Sequence, residues 1–64
     1  MKATVLVYDN DSNCFLEVPN HLGGKTWYLF HAVSECWNYA KKIGARITRT
    51  ETRHENGEVE VEEW

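Results

Sequence analysis

Hydrophobic and polar residues alternate with two periods along this chain, and the changes of period divide it into elements. Residues 2–8 (Lys-Ala-Thr-Val-Leu-Val-Tyr) are apolar and β-branched, which suits a strand. Asp9-Asn10-Asp11-Ser12-Asn13 is a turn cluster, because these side chains bond to nearby backbone amides. Cys14-Phe15-Leu16-Glu17-Val18 predicts a second strand, closed by Pro19, which has no amide hydrogen to donate. The two strands form a hairpin. A loop follows at His21–Lys25, marked by Gly23-Gly24.

The next segment supports two readings. Leu29, Val33, Cys36, Ala40 and Ile43 recur at helical spacing, with Phe30 and Trp37 beside them, and Thr26 is a possible N-cap. Against an early helix, Thr26-Trp27-Tyr28-Leu29-Phe30 is β-favouring throughout. A strand at 26–30 followed by a helix at 33–43 satisfies both signals, with Glu35 near the positive end of the helix dipole. Lys41 and Lys42 complement its C-terminus, and Gly44 is the left-handed stop. Residues 45–53 read as a strand, Asn56-Gly57 as a hairpin turn, and Glu58-Val59-Glu60-Val61-Glu62 as a strict period-two strand with valines in and glutamates out. The expected fold is a single α+β domain over residues 1–64: a small antiparallel sheet of four to five strands with one helix across one face.

One detail needs an irregularity. A two-residue Asn56-Gly57 loop pairs Thr52 with Val61 and His54 with Val59, leaving Ile47 on the face away from the valines. A three-residue loop joins Ile47 to the valines but turns Arg49, Glu51 and Arg53 inward. A β-bulge between 47 and 53 resolves the conflict. The alternative sets Ile47 with Trp64 in a second, exposed apolar patch.

Composition narrows the function class. A chain of 64 residues buries only about 60% of its unfolded surface, which argues against a self-contained enzyme with a deep, dry pocket. No Gly-rich phosphate loop, Gly-x-Ser-x-Gly, His-x-x-x-His or Cys-x-x-Cys occurs. No catalytic residue, cofactor or metal is therefore expected. Cys14 and Cys36 sit among apolar neighbours and read as buried free thiols. No apolar run is long enough for a membrane span, and Met1-Lys2-Ala3-Thr4-Val5 lacks the apolar core of a signal peptide. The expectation is a soluble cytoplasmic protein made at its final length.

Charge and aromatic content are more informative. Residues 54–64 hold five glutamates (55, 58, 60, 62 and 63) and no Lys or Arg, whereas residues 1–53 hold seven basic and five acidic side chains. Glu58, Glu60 and Glu62 project from one strand face at about 6.7 Å intervals, twice the strand rise. They either form a solvated face partly neutralised by Arg49 and Arg53 or dock on a basic surface. Lys41, Lys42, Arg46, Arg49 and Arg53 form a basic cluster that could touch phosphate, although the net charge of −3 has the wrong sign for a dedicated nucleic-acid binder. Eight aromatic residues exceed what so small a core can hold, and surplus Trp and Tyr suit binding hot spots.

The order β-hairpin, helix, Gly, strand, Asn-Gly turn, strand is similar to that of small phage-encoded proteins that inhibit host machinery. It resembles the type I-F anti-CRISPR proteins in opening Met1-Lys2-Ala3 and in placing Arg49-Thr50-Glu51-Thr52 before Asn56-Gly57. The acidic last strand departs from that family, which works through basic residues, so no site residue carries over. The resemblance implies a mobile-element accessory protein.

Three functions follow as expectations. The first is stoichiometric binding to a larger host protein or complex, anchored by Trp27, Tyr28 and Trp64 and steered by Glu58, Glu60, Glu62 and Glu63. The second is a homodimer built from an unpaired edge strand and leftover aromatics. The third is nucleic-acid binding through the cluster from Lys41 to Arg53.

Overall fold

Six elements follow one another: β1 (Lys2–Tyr8), β2 (Asn13–Pro19), β3 (Lys25–Phe30), α1 (Val33–Lys42), β4 (Arg46–Arg53) and β5 (Val59–Glu63). They are seen in a computed structural model that describes residues 1–9 and 13–64. Most of the expected turn between the first two strands, Asn10 to Ser12, lies outside the described residues.

The strands form one five-stranded sheet in the order β3-β2-β1-β4-β5, with the helix packed against it. The α+β class holds, but the sheet is mixed rather than antiparallel. β1–β2, β2–β3 and β4–β5 are antiparallel, whereas β1 and β4 run parallel. Two reversals leave β3 pointing the same way as β1. The helix then carries the chain back across the sheet, so β4 starts where β1 starts. The Arg46 amide donates to the Met1 carbonyl at 2.8 Å at that shared end.

The main core cluster lies on the helix side; Leu6 of β1 is buried outside that cluster, among its sheet neighbours on the other side. Ala3 and Val5 from β1, Cys14, Leu16 and Val18 from β2, and Ile47 from β4 meet Cys36 and Ala40 from the helix. Cys36 and Ala40 are four residues apart and small, so the helix approaches the sheet closely. Tyr39 closes one flank of the core, its ring 4.9 Å from Tyr28 and 5.5 Å from Phe30. Gly44 ends the helix at φ +74°, the left-handed geometry expected of it.

The irregularity in β4 is a bulge. Ala3 pairs with Ile47 but Thr4 pairs with Arg49, so Thr48 is the extra residue. The bulge keeps Ile47 in the core while turning Arg49, Glu51 and Arg53 to the far side. The β4–β5 turn has a three-residue loop, not two. Arg53 pairs with Val59, and the His54 amide donates to the Glu58 carbonyl at 2.8 Å. Gly57 takes the positive φ of +92° that such a loop needs.

Candidate protein-binding surface

The loop length decides what β5 presents. Val59 and Val61 stand opposite Arg53 and Glu51, on the side away from the helix, and are 52% and 45% exposed. The valines expected to point into the core therefore do not. Glu60 and Glu62 stand opposite Thr52 and Thr50 on the helix side. The helix packs over β1 to β4 and stops short of β5, so nothing screens these carboxylates from water.

Trp64 returns the chain to the helix. Its backbone amide donates to the Thr48 carbonyl at 3.0 Å, and its indole Nε1 donates to Thr50 Oγ1 at 3.3 Å. Its ring then meets Trp37 of the helix edge to face, with centroids 5.4 Å apart and planes at 78°. An aromatic pair in this geometry adds about 0.5–1.5 kcal/mol beyond its buried area. Both rings still face solvent, Trp37 at 36% and Trp64 at 62% exposure. Val33 lies one turn before Trp37 on the same helix stripe and is also exposed.

The acidic side chains along β5 and its turn have few partners. Among the described residues, Glu55, Glu58 and Glu62 make no ion pair, and Glu63 makes one long contact of 3.8 Å to Arg49 Nη1. The neutralising role expected of Arg49 and Arg53 is spent on their own strand. Glu51 holds Arg49 Nε at 3.0 Å and Arg53 Nη2 at 3.6 Å. All three side chains share a face because they alternate along β4 beyond the bulge.

Glu60 is engaged differently. His54 Nδ1 lies 3.3 Å from Asp9 Oδ2, and Nε2 lies 3.1 Å from Glu60 Oε1. The first contact has hydrogen-bond geometry; the second is close but poorly aligned, which leaves Nε2 unsatisfied. The bond to Asp9 and the nearby Glu60 charge raise the His54 pKa, against the opposing effect of desolvation.

The anchors named from the sequence are split by the sheet. Glu60, Glu62 and Trp64 lie on the helix side of the β5 edge, Glu63 lies on the same strand but faces away from the helix beside Arg49, and Glu58 precedes the strand. Trp27 sits on the opposite edge strand, facing away from the helix, with Nε1 donating to Glu17 Oε2 at 2.9 Å. Tyr28 is half-buried on the helix side against Tyr39. Trp37 was read from the sequence only as a neighbour of the helical stripe; its pairing with Trp64 spans 27 positions and leaves no local signal.

The five cations do not form one patch. Lys41 and Lys42 are exposed in the last turn of the helix, and Arg46 is exposed at the start of β4. Arg49 and Arg53 lie on the far side of the sheet, bound to Glu51, and Arg53 also stacks 5.6 Å over the Tyr8 ring.

Cys14 and Cys36 are free and buried, as expected. Burial pushes both thiols up, Cys36 to about 12, so neither is a ready nucleophile. Among the described residues no three His, Cys, Asp or Glu side chains cluster as metal ligands, and no pocket opens. No helix is long and apolar enough to cross a membrane. Comparison with protein-family models, curated proteins and solved structures finds no match to this chain.

Proposed function

We propose that this chain is a non-enzymatic protein-binding module that docks through the Trp37–Trp64 pair and the acidic β5 strand onto a basic surface of a larger protein. The observation that carries this reading is two solvent-facing indoles, held edge to face, on the same side of the sheet as Glu60 and Glu62, which have no Lys or Arg partner among the described residues. Each indole supplies a large apolar area and a negative ring face, which attracts an Arg or Lys side chain. Glu58, Glu60, Glu62 and Glu63 draw a basic partner in and fix its orientation, an effect that acts mainly on the association rate. Stoichiometric contact suits a domain too small to enclose a substrate. The biological setting we infer is that of a phage or mobile-element accessory protein inhibiting or modulating a host protein, resting on the resemblance of the sequence's element order to type I-F anti-CRISPR proteins.

The test is a fluorescence titration with an arginine-rich peptide, and with an acidic peptide of equal length as control. The arginine-rich peptide quenches the indoles and its affinity falls steeply between about 20 and about 300 mM salt, as exposed charges are screened. Trp64→Ala weakens binding about tenfold or more, and Glu60→Gln with Glu62→Gln removes most of the salt dependence. Absence of binding at low salt, or binding indifferent to these substitutions, would sink the proposal.

A further inference from the structure

The side of the sheet away from the helix carries a second pattern, which shares only Glu63 with the acidic surface. Strand pairing aligns its residues in rows that cross from β3 to β5. One row is Leu29, Phe15, Leu6, Glu51 and Val61; the next is Trp27, Glu17, Thr4, Arg49 and Glu63. No described element covers this face. Leu29 is 53% exposed and Trp27 59%, like the valines at the other edge. Between these margins Phe15 packs on Tyr8 at 5.6 Å and on Trp27 at 6.2 Å. Leu6 at the centre is buried among these neighbours, and Glu17, Arg49, Glu51 and Glu63 lie between the apolar margins, so the face is mixed, with large exposed apolar side chains at both edges.

The rows are self-complementary about their middle strand. A two-fold axis along β1, between two copies stacked face to face, sets β3 of each copy over β5 of the other and β2 over β4. Leu29 then faces Val61, Leu6 faces its own counterpart, and Glu17 faces Arg49. Phe15 falls over Glu51, whose charge is already matched by Arg49 and Arg53. Trp27 falls over Glu63 and Thr4 over its own counterpart, so the matched contacts are Leu29 with Val61 and Glu17 with Arg49. Five strands at about 4.8 Å spacing and about six residues of strand length give a footprint of about 24 by 20 Å. That is near 500 Å² per copy and about 1,000 Å² in total, the lower bound for a specific interface.

We propose that two copies of this chain stack through this open sheet face into a two-fold symmetric dimer with its axis along β1. The footprint implies reversible association in the micromolar range. Both Trp37–Trp64 surfaces remain outside, on opposite sides of the dimer.

Sedimentation of the chain from about 1 to about 500 μM tests this range. The weight-average mass rises from one chain towards two. Val61→Lys and Leu29→Lys each raise the dissociation constant about tenfold or more, while circular dichroism and the urea midpoint show that the fold persists. Glu17→Arg and Arg49→Glu each weaken the dimer, and the two together restore it, which only the Glu17-over-Arg49 alignment predicts. A wild-type monomer at every concentration overturns the proposal, as does a dimer unaffected by Val61→Lys or a charge reversal without rescue. A monomer that binds a labelled single-stranded oligonucleotide through Tyr8, Phe15 and Trp27 gives the face a different occupant and overturns it too.

Discussion

Substitutions on the two sides of the sheet should have very different costs. Leu16 is fully buried on the helix side, where it pairs with Val5 and Tyr28 at the middle of the core. Leu16→Ala removes buried carbon and leaves a cavity, at a cost of roughly 2–5 kcal/mol. A domain of 64 residues is stable by only about 3–10 kcal/mol at the usual 0.05–0.15 per residue. The variant should therefore lose at least about a fifth of its stability and, at the upper end of the cost, unfold without denaturant. Val61 is nearly the same size as Thr, and its side chain is already half in water. One methyl is exchanged for a solvated hydroxyl, so about half of the roughly 0.8 kcal/mol per buried carbon is at stake. Val61→Thr should cost below about 0.5 kcal/mol. The assay is urea denaturation by circular dichroism, repeated at two protein concentrations so that any contribution from association is read separately. With a slope near 1 kcal/mol per molar urea, Leu16→Ala moves the midpoint by about 2 M or more and Val61→Thr by under about 0.5 M. Equal shifts, or a loss above about 1 kcal/mol for Val61→Thr, would show that the open side is packed in the monomer and refute a main core on the helix side.

Three further outcomes are expected. His54 has a folded-state pKa above its ordinary value of 6.5, so its contribution is complete below that pH and is lost as pH rises through the raised value. The urea midpoint should fall above about pH 6.5, and His54→Gln should flatten that fall. Gly44→Ala meets no neighbouring atom within 4 Å but must hold φ +74°, so it should cost about 1 kcal/mol of backbone strain, measured by the same denaturation. Cys14 and Cys36 should react with a thiol reagent only as fast as the native structure opens, and both at once in urea; an immediate two-thiol burst in the folded protein would contradict their burial.

Local patterns in the sequence located every described element to within a residue or two. The β-favouring run at 26–30 and the Lys41-Lys42-Gly44 stop act over a few residues, and each held against the tertiary context. The bulge was legible because Ile47 and the Arg49–Arg53 alternation cannot both be satisfied without an extra residue. What escaped depended on long-range geometry. A parallel β1–β4 pair follows from where the helix delivers the chain, which no strand records in its own pattern. Period two in β5 showed that valines and glutamates face opposite ways, but not which face meets the core. That choice turned on one loop residue and on a ten-residue helix too narrow to reach the edge strand. The same shortfall leaves Trp37 and Trp64 to pack on each other in the open.

The most direct measurement is an NMR titration of the ¹⁵N-labelled chain with an arginine-rich peptide, following backbone amides and the three tryptophan indoles. The expected shifts concentrate on Glu60, Glu62 and Trp64 and on the Trp37 and Trp64 indoles, with Trp27 unmoved. Shifts confined to Trp27 and its side of the sheet, or none at low salt, would contradict a docking surface built from the last strand and the helix.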